Sequence, residues 1–449
     1  MQIEVSKNPG VVTVEFREKG SKKTPYGFEG KKGQIVLDGK RVIVGTTDVK
    51  LADDWRVIGV KLVGFLKSIK VKSASIEVPA KCAEFVEGLQ LGAYEFMKYK
   101  SKPEKSKLER IYLTSADDIV DIVKKSVVKA DATCYARDWV NTTPEDANSY
   151  TLEAEVNNIF KHTNIKVTVY GEKDLKKFGM NAHLAVNRAS RHDAKTIKLE
   201  YVPESYDKHH VFVGKGLMYD SGGLSIKPGT AMTTMKADKA GAMAVLGAMK
   251  AIAELGCKHK VTMYLGIAEN MIDGSAYKPD DVLIAMNGTT IHVKNTDAEG
   301  RLVLFDNLCL AQKENDDITT IHTLATLTGA AVFQFGDEAA GLVGFNDKLK
   351  AKVKKSGDKA GEVFMNAEFH RFMMDGVKDE LADISNTGTK NMGCQKAGLF
   401  LSKAISKENL DKFLHWDIAG PAFVDKAFGH NPSGATGFGV RTILSYLKV

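Results

Sequence analysis

Two carboxylates stand two positions apart in Asn295-Thr296-Asp297-Ala298-Glu299-Gly300-Arg301-Leu302. An apolar run at helical spacing, Leu302 to Leu310, follows directly, so the pair falls just ahead of a helix with Arg301 in its first turn. Carboxylates at i and i+2 on a loop can converge on one cation. Buried together without one they would repel, and at least one would take up a proton. The plain alternative is a helix N-terminus, where acidic side chains favour the macrodipole. A second cluster upstream weighs against it.

That cluster begins in His210-Val211-Phe212-Val213-Gly214, which reads as a short buried strand. Lys215 then follows the strand end, the place where α/β sheets hold their ligands. Asp220 precedes Ser221-Gly222-Gly223, whose glycines let backbone approach closely. Met235-Lys236-Ala237-Asp238 leads into an Ala-rich helical stretch, Ala240 to Leu255. The two regions offer Asp220, Asp238, Asp297 and Glu299, with Lys215, Lys227 and Arg301 among them, on loops at element ends. Oxygen ligands with few histidines suit hard or borderline divalent cations such as Mn, Mg or Zn.

These stretches resemble the M17 leucyl aminopeptidases, the cytosol aminopeptidase family. The signature N-T-D-A-E-G-R-L stands unchanged at 295–302, and the V-G-K-G-x-x-x-D-S-G-G-x-x-x-K pattern runs from Val213 to Lys227. Further matching segments are Ala268-Glu269-Asn270-Met271, Ala325-Thr326-Leu327-Thr328-Gly329-Ala330, Asp417 to Ala422 and Gly434 to Arg441. The resemblance covers roughly residues 130 to 445, and residues 1 to about 115 carry no signature that can be placed.

The resemblance implies two divalent metal ions per chain, Mn or Zn, with Mg or Co as further candidates. Asp220 and Glu299 would bridge both ions. Asp297 would hold one, and Lys215 and Asp238 would complete the other. A lysine ligand must be neutral, so its pKa must fall well below the model value of about 10.4; adjacent divalent charge and desolvation push it that way. Lys227 would stay protonated and stabilise charge on the carbonyl oxygen. Arg301 would anchor a bicarbonate that serves as general base, a planar fork for a planar oxyanion. Met235, Thr326, Gly329 and Ala330 match positions lining the pocket for the N-terminal side chain, and a mostly apolar pocket suggests leucine or methionine. Two cations roughly 3.5–4 Å apart acidify a water and polarise the scissile carbonyl, and a free substrate amine reaching one of them makes the enzyme an exopeptidase. The implied assembly is a homohexamer acting on peptides.

Two departures from the family pattern stand out. Lys239 follows Asp238 where an apolar residue is usual, and a cation there could weaken metal binding. Gly393-Cys394-Gln395-Lys396-Ala397-Gly398 replaces the common Gly-Gly-Arg before Ala-Gly. Neither removes one of the seven key residues.

With 449 residues the chain has room for two domains, and 43% hydrophobic with 27% charged residues fits a soluble globular protein. It has no apolar run of about 18 residues and no basic region followed by an apolar stretch at its start, so neither membrane span nor signal peptide is expected. Cys82, Cys134, Cys257, Cys309 and Cys394 are scattered and odd in number, which suits free thiols in the cytoplasm. No H-E-x-x-H occurs, against a zincin protease. Residues 1–120 hold 22 Lys/Arg against 16 Asp/Glu, and the remainder 41 against 40, so nearly all the net +7 is N-terminal. That charge is spread and comes with no nucleic-acid-binding motif, so ordinary solvation is the preferred reading over nucleic-acid binding.

The N-terminal part alternates strands (Val11 to Phe16, Gln34 to Leu37, Arg41 to Gly45) with helices near Asp53–Lys67 and Cys82–Lys98, which predicts a small α/β domain over 1–115. Ala116 to Val140 reads as one long helix with an apolar stripe of Ile119, Ile122, Val123, Val127 and Val128, closed by Asn141-Thr142-Thr143-Pro144. This linking segment is placed at 116–144. Strands then alternate with helices (Lys166 to Tyr170, Thr196 to Tyr201, Val211 to Gly214, Val261 to Ile267, Thr319 to Leu324, Phe413 to Ile418). The expected fold over 145–449 is a larger α/β catalytic domain with a mixed, largely parallel sheet.

Two other readings compete. A two-metal phosphoesterase would use similar carboxylates, but such sites commonly use more histidine, and Gly214-Lys215-Gly216 lacks the spacing of a P-loop. A non-enzymatic nucleic-acid-binding or scaffolding role is permitted by the N-terminal charge but leaves the site unexplained.

Overall fold

The computed structural model describes residues 1–22, 24–79, 81–388 and 391–449. Two compact units divide the chain. One takes residues 1–134 with 427–432, and the other takes 135–426 with 433–449. A 22-residue helix, Val120–Asn141, runs through the division. It starts at Val120, four residues later than the expected Ala116, because the Asp118 carboxylate accepts the Val120 N–H and caps the chain there.

The N-terminal unit is a six-stranded sheet in the order Gln2–Val5, Arg110–Thr114, Ser73–Glu77, Val12–Arg17, Arg41–Gly45, Ile35–Asp38. All neighbours are parallel except the last pair. Val12, Val14, Val42, Val44, Ala74, Ile76, Ile111 and Leu113 supply one apolar face, and helices Ala52–Ser68 and Cys82–Ala93 join them in a single core. The second helix ends at Ala93 rather than near Lys98, since Tyr94 is already extended.

The larger unit holds the expected mixed sheet, now eight strands. Its order is Val363–Asn366, Ala339–Val343, Phe413–Asp417, Thr320–Ala325, His209–Asp220, Lys260–Asn270, Lys195–Tyr201, Ile165–Tyr170. The four central strands are mutually parallel, while the two at the Ile165 edge run antiparallel. Helix Ala240–Leu255 is buried along most of its length and is apolar almost all round, whereas Gly300–Lys313 is equally buried but takes Arg301, Asp306 and Asn307 inside with it.

Lys215 does not follow a strand end. His209–Asp220 is a single strand of twelve residues, so Lys215 sits in its middle and Asp220 at its end. Strand alternation then decides the site. A Cβ on Gly214 would fall 2.5 Å from Ala242, so the even-numbered positions before the register shift between Leu217 and Tyr219 face helix Ala240–Leu255, and the shift brings Asp220 to the side of Lys215. Lys215 points the other way, beneath helix Gly300–Lys313.

Candidate metal centre

Three loops and one strand interior converge at the carboxyl ends of the central strands, the position where open α/β sheets bind ligands. Lys215 comes from within strand His209–Asp220, and its stem passes under Gly300. A side chain at Gly300 would put a Cβ 2.4 Å from Lys215 Cε, so the glycine of the N-T-D-A-E-G-R-L signature is a steric requirement. Asp220 ends the same strand. Asp238 lies in the 3-10 turn Met235–Lys239. Asp297 and Glu299 lie on the loop into helix Gly300–Lys313, with Glu299 as its first flanking residue.

The buried Lys215 ammonium donates to three acceptors: Asp238 Oδ1 at 2.8 Å, Glu299 Oε1 at 2.8 Å and the Thr326 carbonyl at 2.9 Å. Lys227 Nζ lies 2.9 Å from Asp220 Oδ2 and 2.5 Å from Asp297 Oδ1. Ligand atoms of Asp220, Asp297 and Glu299 all fall within 4.8 Å of one another. Asp220, Asp238 and Glu299 are almost fully buried.

The electrostatics follow from four carboxylates against two ammonium groups. Burial, then repulsion from Asp220 and Glu299, pushes Asp238 up to about 8 despite Lys215 beside it. Burial and Asp220 likewise raise Asp297 and Glu299. Burial opposes charge on Lys215 and Lys227, but the surrounding carboxylates outweigh it and hold both above the ordinary lysine range. A neutral Lys215 amine therefore needs stronger positive charge beside it than the chain supplies.

The residues fit divalent cations. Acidic oxygens crowd one another in a region too dry to screen them, and Asp238 Oδ2 is buried with no hydrogen-bond partner among the described residues. Such an arrangement is costly unless cations take up the free lone pairs.

Arg301 is buried behind Glu299. Its Nη1 donates to the Asn386 carbonyl at 2.6 Å, its Nε has no partner among the described residues, and burial lowers its pKa to about 10. Cys394, one of the departures from pattern, is buried near Arg301 and Asp417. The Asp417 carboxylate accepts from Leu327 N–H and Thr328 Oγ1, which sets the loop after strand Thr320–Ala325.

A cavity of about 370 Å³ opens onto the carboxylates, with Met235, Thr326 and Gly329 in its wall. Ala330 is not brought to that wall; it packs with Ala331, Val343, Ala367 and Cys394. Ala231, Val332, Ala419 and Phe423 add apolar lining that motif reading did not single out. Thr326 also does more than line: its Oγ1 donates to Asp238 Oδ1 at 2.7 Å.

A model of the cytosol aminopeptidase family, catalytic domain, matches residues 134–444. The chain belongs to this family. The family's N-terminal domain matches residues 43–103, a stretch without a recognisable motif. A probable cytosol aminopeptidase of Campylobacter jejuni is 43% identical over 394 residues, covering 85% of this chain and 81% of the relative. One from Helicobacter hepaticus is 39% identical over 432 residues, covering 94% and 90%. Among solved structures, the bottromycin maturation enzyme BotP in complex with Mn aligns with a TM-score of 0.90 at 29% identity, over 98% of this chain and 99% of that one. A tomato leucine aminopeptidase mutant aligns at 0.88 and 26% identity, over 99% and 95%. Among the described residues no helix is long and apolar enough to cross a membrane.

Proposed function

We propose that this member of the aminopeptidase family releases unblocked N-terminal residues from peptides, leucine-like ones preferred, with two divalent cations at the carboxylate cluster. The observation that carries the reading is the convergence of Lys215, Asp220, Asp238, Asp297 and Glu299 beside an apolar cavity. When bound there, Mn or Zn would supply Lewis acidity and a water of lowered pKa.

The chain's own groups account for the rest. Lys227 keeps its proton amid Asp220 and Asp297 and lies at the cavity wall, so its charge is available to a carbonyl oxygen that becomes negative. The buried Arg301 Nε has no partner among the described residues, and a guanidinium donor left over suits a planar oxyanion such as bicarbonate as proton acceptor. An unblocked amine suits a carboxylate-rich site, whereas an acylated one has lost its basicity. Met235, Ala231, Val332, Ala419 and Phe423 favour an apolar side chain of leucine size. A homohexamer is proposed on the family resemblance alone, and sedimentation of the purified chain tests it.

The decisive experiment compares leucyl-arylamide and N-acetyl-leucyl-arylamide with Mn, and the former with EDTA. Turnover confined to the free amine, lost with EDTA and restored by Mn, is expected. Equal turnover of both substrates would end the exopeptidase reading.

A further inference from the structure

Asn270 is fully buried at the end of strand Lys260–Asn270, directly across the ladder from Asp220. Its side-chain amide has two N–H groups and spends both on the carboxylate cluster. One goes to Asp220 Oδ1 at 2.8 Å, the other to the Thr296 carbonyl at 3.0 Å. Its backbone carbonyl accepts both the Ser221 N–H at 3.0 Å and the Ser221 hydroxyl at 2.7 Å. One residue therefore grips the loop after Asp220 and the loop before Asp297.

The amide orientation is forced. Turned over, its oxygen would face Asp220 Oδ1 and the Thr296 carbonyl, three acceptors without a donor among them. As placed, Asn270 Oδ1 lies only 2.7 Å from the point where a Cβ on Gly223 would stand, and Gly223 has a φ of +63°. The space that Asn270 occupies thus depends on a glycine in the Ser221-Gly222-Gly223 loop.

Asp220 Oδ1 also accepts the Gly222 N–H at 2.9 Å. These two donors fix Oδ1 on the protein side, and the other oxygen, Oδ2, meets the Lys227 ammonium at 2.9 Å. The Thr296 carbonyl is held twice as well, by Asn270 and by the Tyr277 hydroxyl at 2.6 Å. Thr296 is the residue before Asp297, so the peptide carrying that ligand is fixed from behind.

We propose that Asn270 is a positioning residue of the metal centre, fixing which oxygen of Asp220 faces the cations and locking the Asp220 and Asp297 loops to each other. It touches neither substrate nor cation and acts through Asp220 and Thr296. The inference rests on the reading of Asp220 as a cation ligand.

Asn270→Asp tests it by sign. The substitution keeps the shape, removes both donated hydrogen bonds and adds a carboxylate. Added negative charge alone would tighten a cation site. Loss of positioning instead weakens it, by about 10–100-fold for a partner behind a metal ligand. Calorimetric titration with Mn, of wild type and of Asn270→Asp, reads the difference, and Asn270→Ser serves if the aspartate variant fails to fold. The expected result is weaker Mn binding in a folded protein, with kcat reduced at saturating Mn and KM for leucyl-arylamide within about threefold of wild type. Mn affinity equal to or tighter than wild type would overturn the proposal. Wild type that binds no Mn would overturn the ligand assignment itself, and the inference with it.

Discussion

Replacing Thr326 by valine separates two roles that the sequence merges. The resemblance gives Thr326 to the pocket for the N-terminal side chain. The structure adds a hydrogen bond of 2.7 Å from its hydroxyl to Asp238 Oδ1. Valine keeps the branched shape and removes only the donor. Hydrogen bonds to a charged partner contribute roughly 1.5–3 kcal/mol. Asp238 Oδ1 keeps its contact with Lys215 at 2.8 Å, so the loss belongs near the lower end, about 1.5 kcal/mol. At about 1.4 kcal/mol per factor of ten, one cation should bind about tenfold more weakly. The other should shift little, because Asp220, Asp297 and Glu299 do not contact Thr326. Calorimetric titration with Mn measures both affinities, and leucyl-arylamide kinetics at saturating Mn measure the pocket. Unchanged Mn affinities with a raised KM would show that Thr326 acts only on the substrate, and that its hydroxyl does not orient Asp238 for metal.

Further outcomes follow from the same geometry. Asp220→Ala and Glu299→Ala should each abolish activity and lower the metal content of the dialysed protein; two metals retained per chain at normal affinity would refute the shared-ligand assignment. Lys227→Ala and Arg301→Ala should retain their metals, since neither is proposed as a ligand, and lose about 10²–10³ in turnover. Metal analysis of both variants checks this, and loss of metal from either would make it a ligand after all. Phe423→Ala should enlarge the apolar wall and shift preference toward bulkier N-terminal residues, read from kcat/KM across a panel of aminoacyl-arylamides; an unchanged ranking would remove Phe423 from the pocket.

The site was more legible than the strands that carry it. Charged residues at fixed spacing beside glycines constrain chemistry locally, and Asp220, Asp238, Asp297, Glu299, Lys215 and Lys227 do come together. The apolar run His210 to Gly214 reads as a complete short strand with Lys215 beyond its end, since glycine usually punctuates a strand. Here Gly214 instead leaves space for helix Ala240–Leu255 to approach, and pairing on both sides keeps the strand going. Strands Ser73–Glu77 and Arg110–Thr114 give a weak local signal because each is only five residues long and mixes charged and hydroxyl residues with its apolar ones. Their identity comes from parallel partners distant in sequence, which local periodicity cannot carry. Ala339–Val343 is small-residue sequence whose strand character likewise comes from its neighbours. Asn270 lies in the matching segment Ala268 to Met271 without a role to go with it, and Tyr277 gives no local signal, since what both hold is a carbonyl 19 to 26 positions away.

Lys239 shows how a local charge argument can mislead. The sequence puts this lysine next to a ligand residue, and the structure turns it away from the ligands. Asp238 and Lys239 are consecutive in a 3-10 turn, where successive side chains diverge by about 120°. The carboxylate turns toward Lys215, while the fully buried Lys239 ammonium turns away and donates to the carbonyls of Lys236 at 2.7 Å and Thr142 at 3.2 Å. Burial, then the neighbouring Lys236, lowers its pKa to about 7 against the pull of Asp238, and the hydrogen bonds it makes go to backbone carbonyls rather than to the metal ligands. What it supplies to Asp238 is a tether: the turn bearing the ligand is tied to the segment that follows helix Val120–Asn141. An apolar residue at this place could fill the volume but could not make that tether, so the departure from the family pattern alters how the turn is held and leaves the ligand set intact.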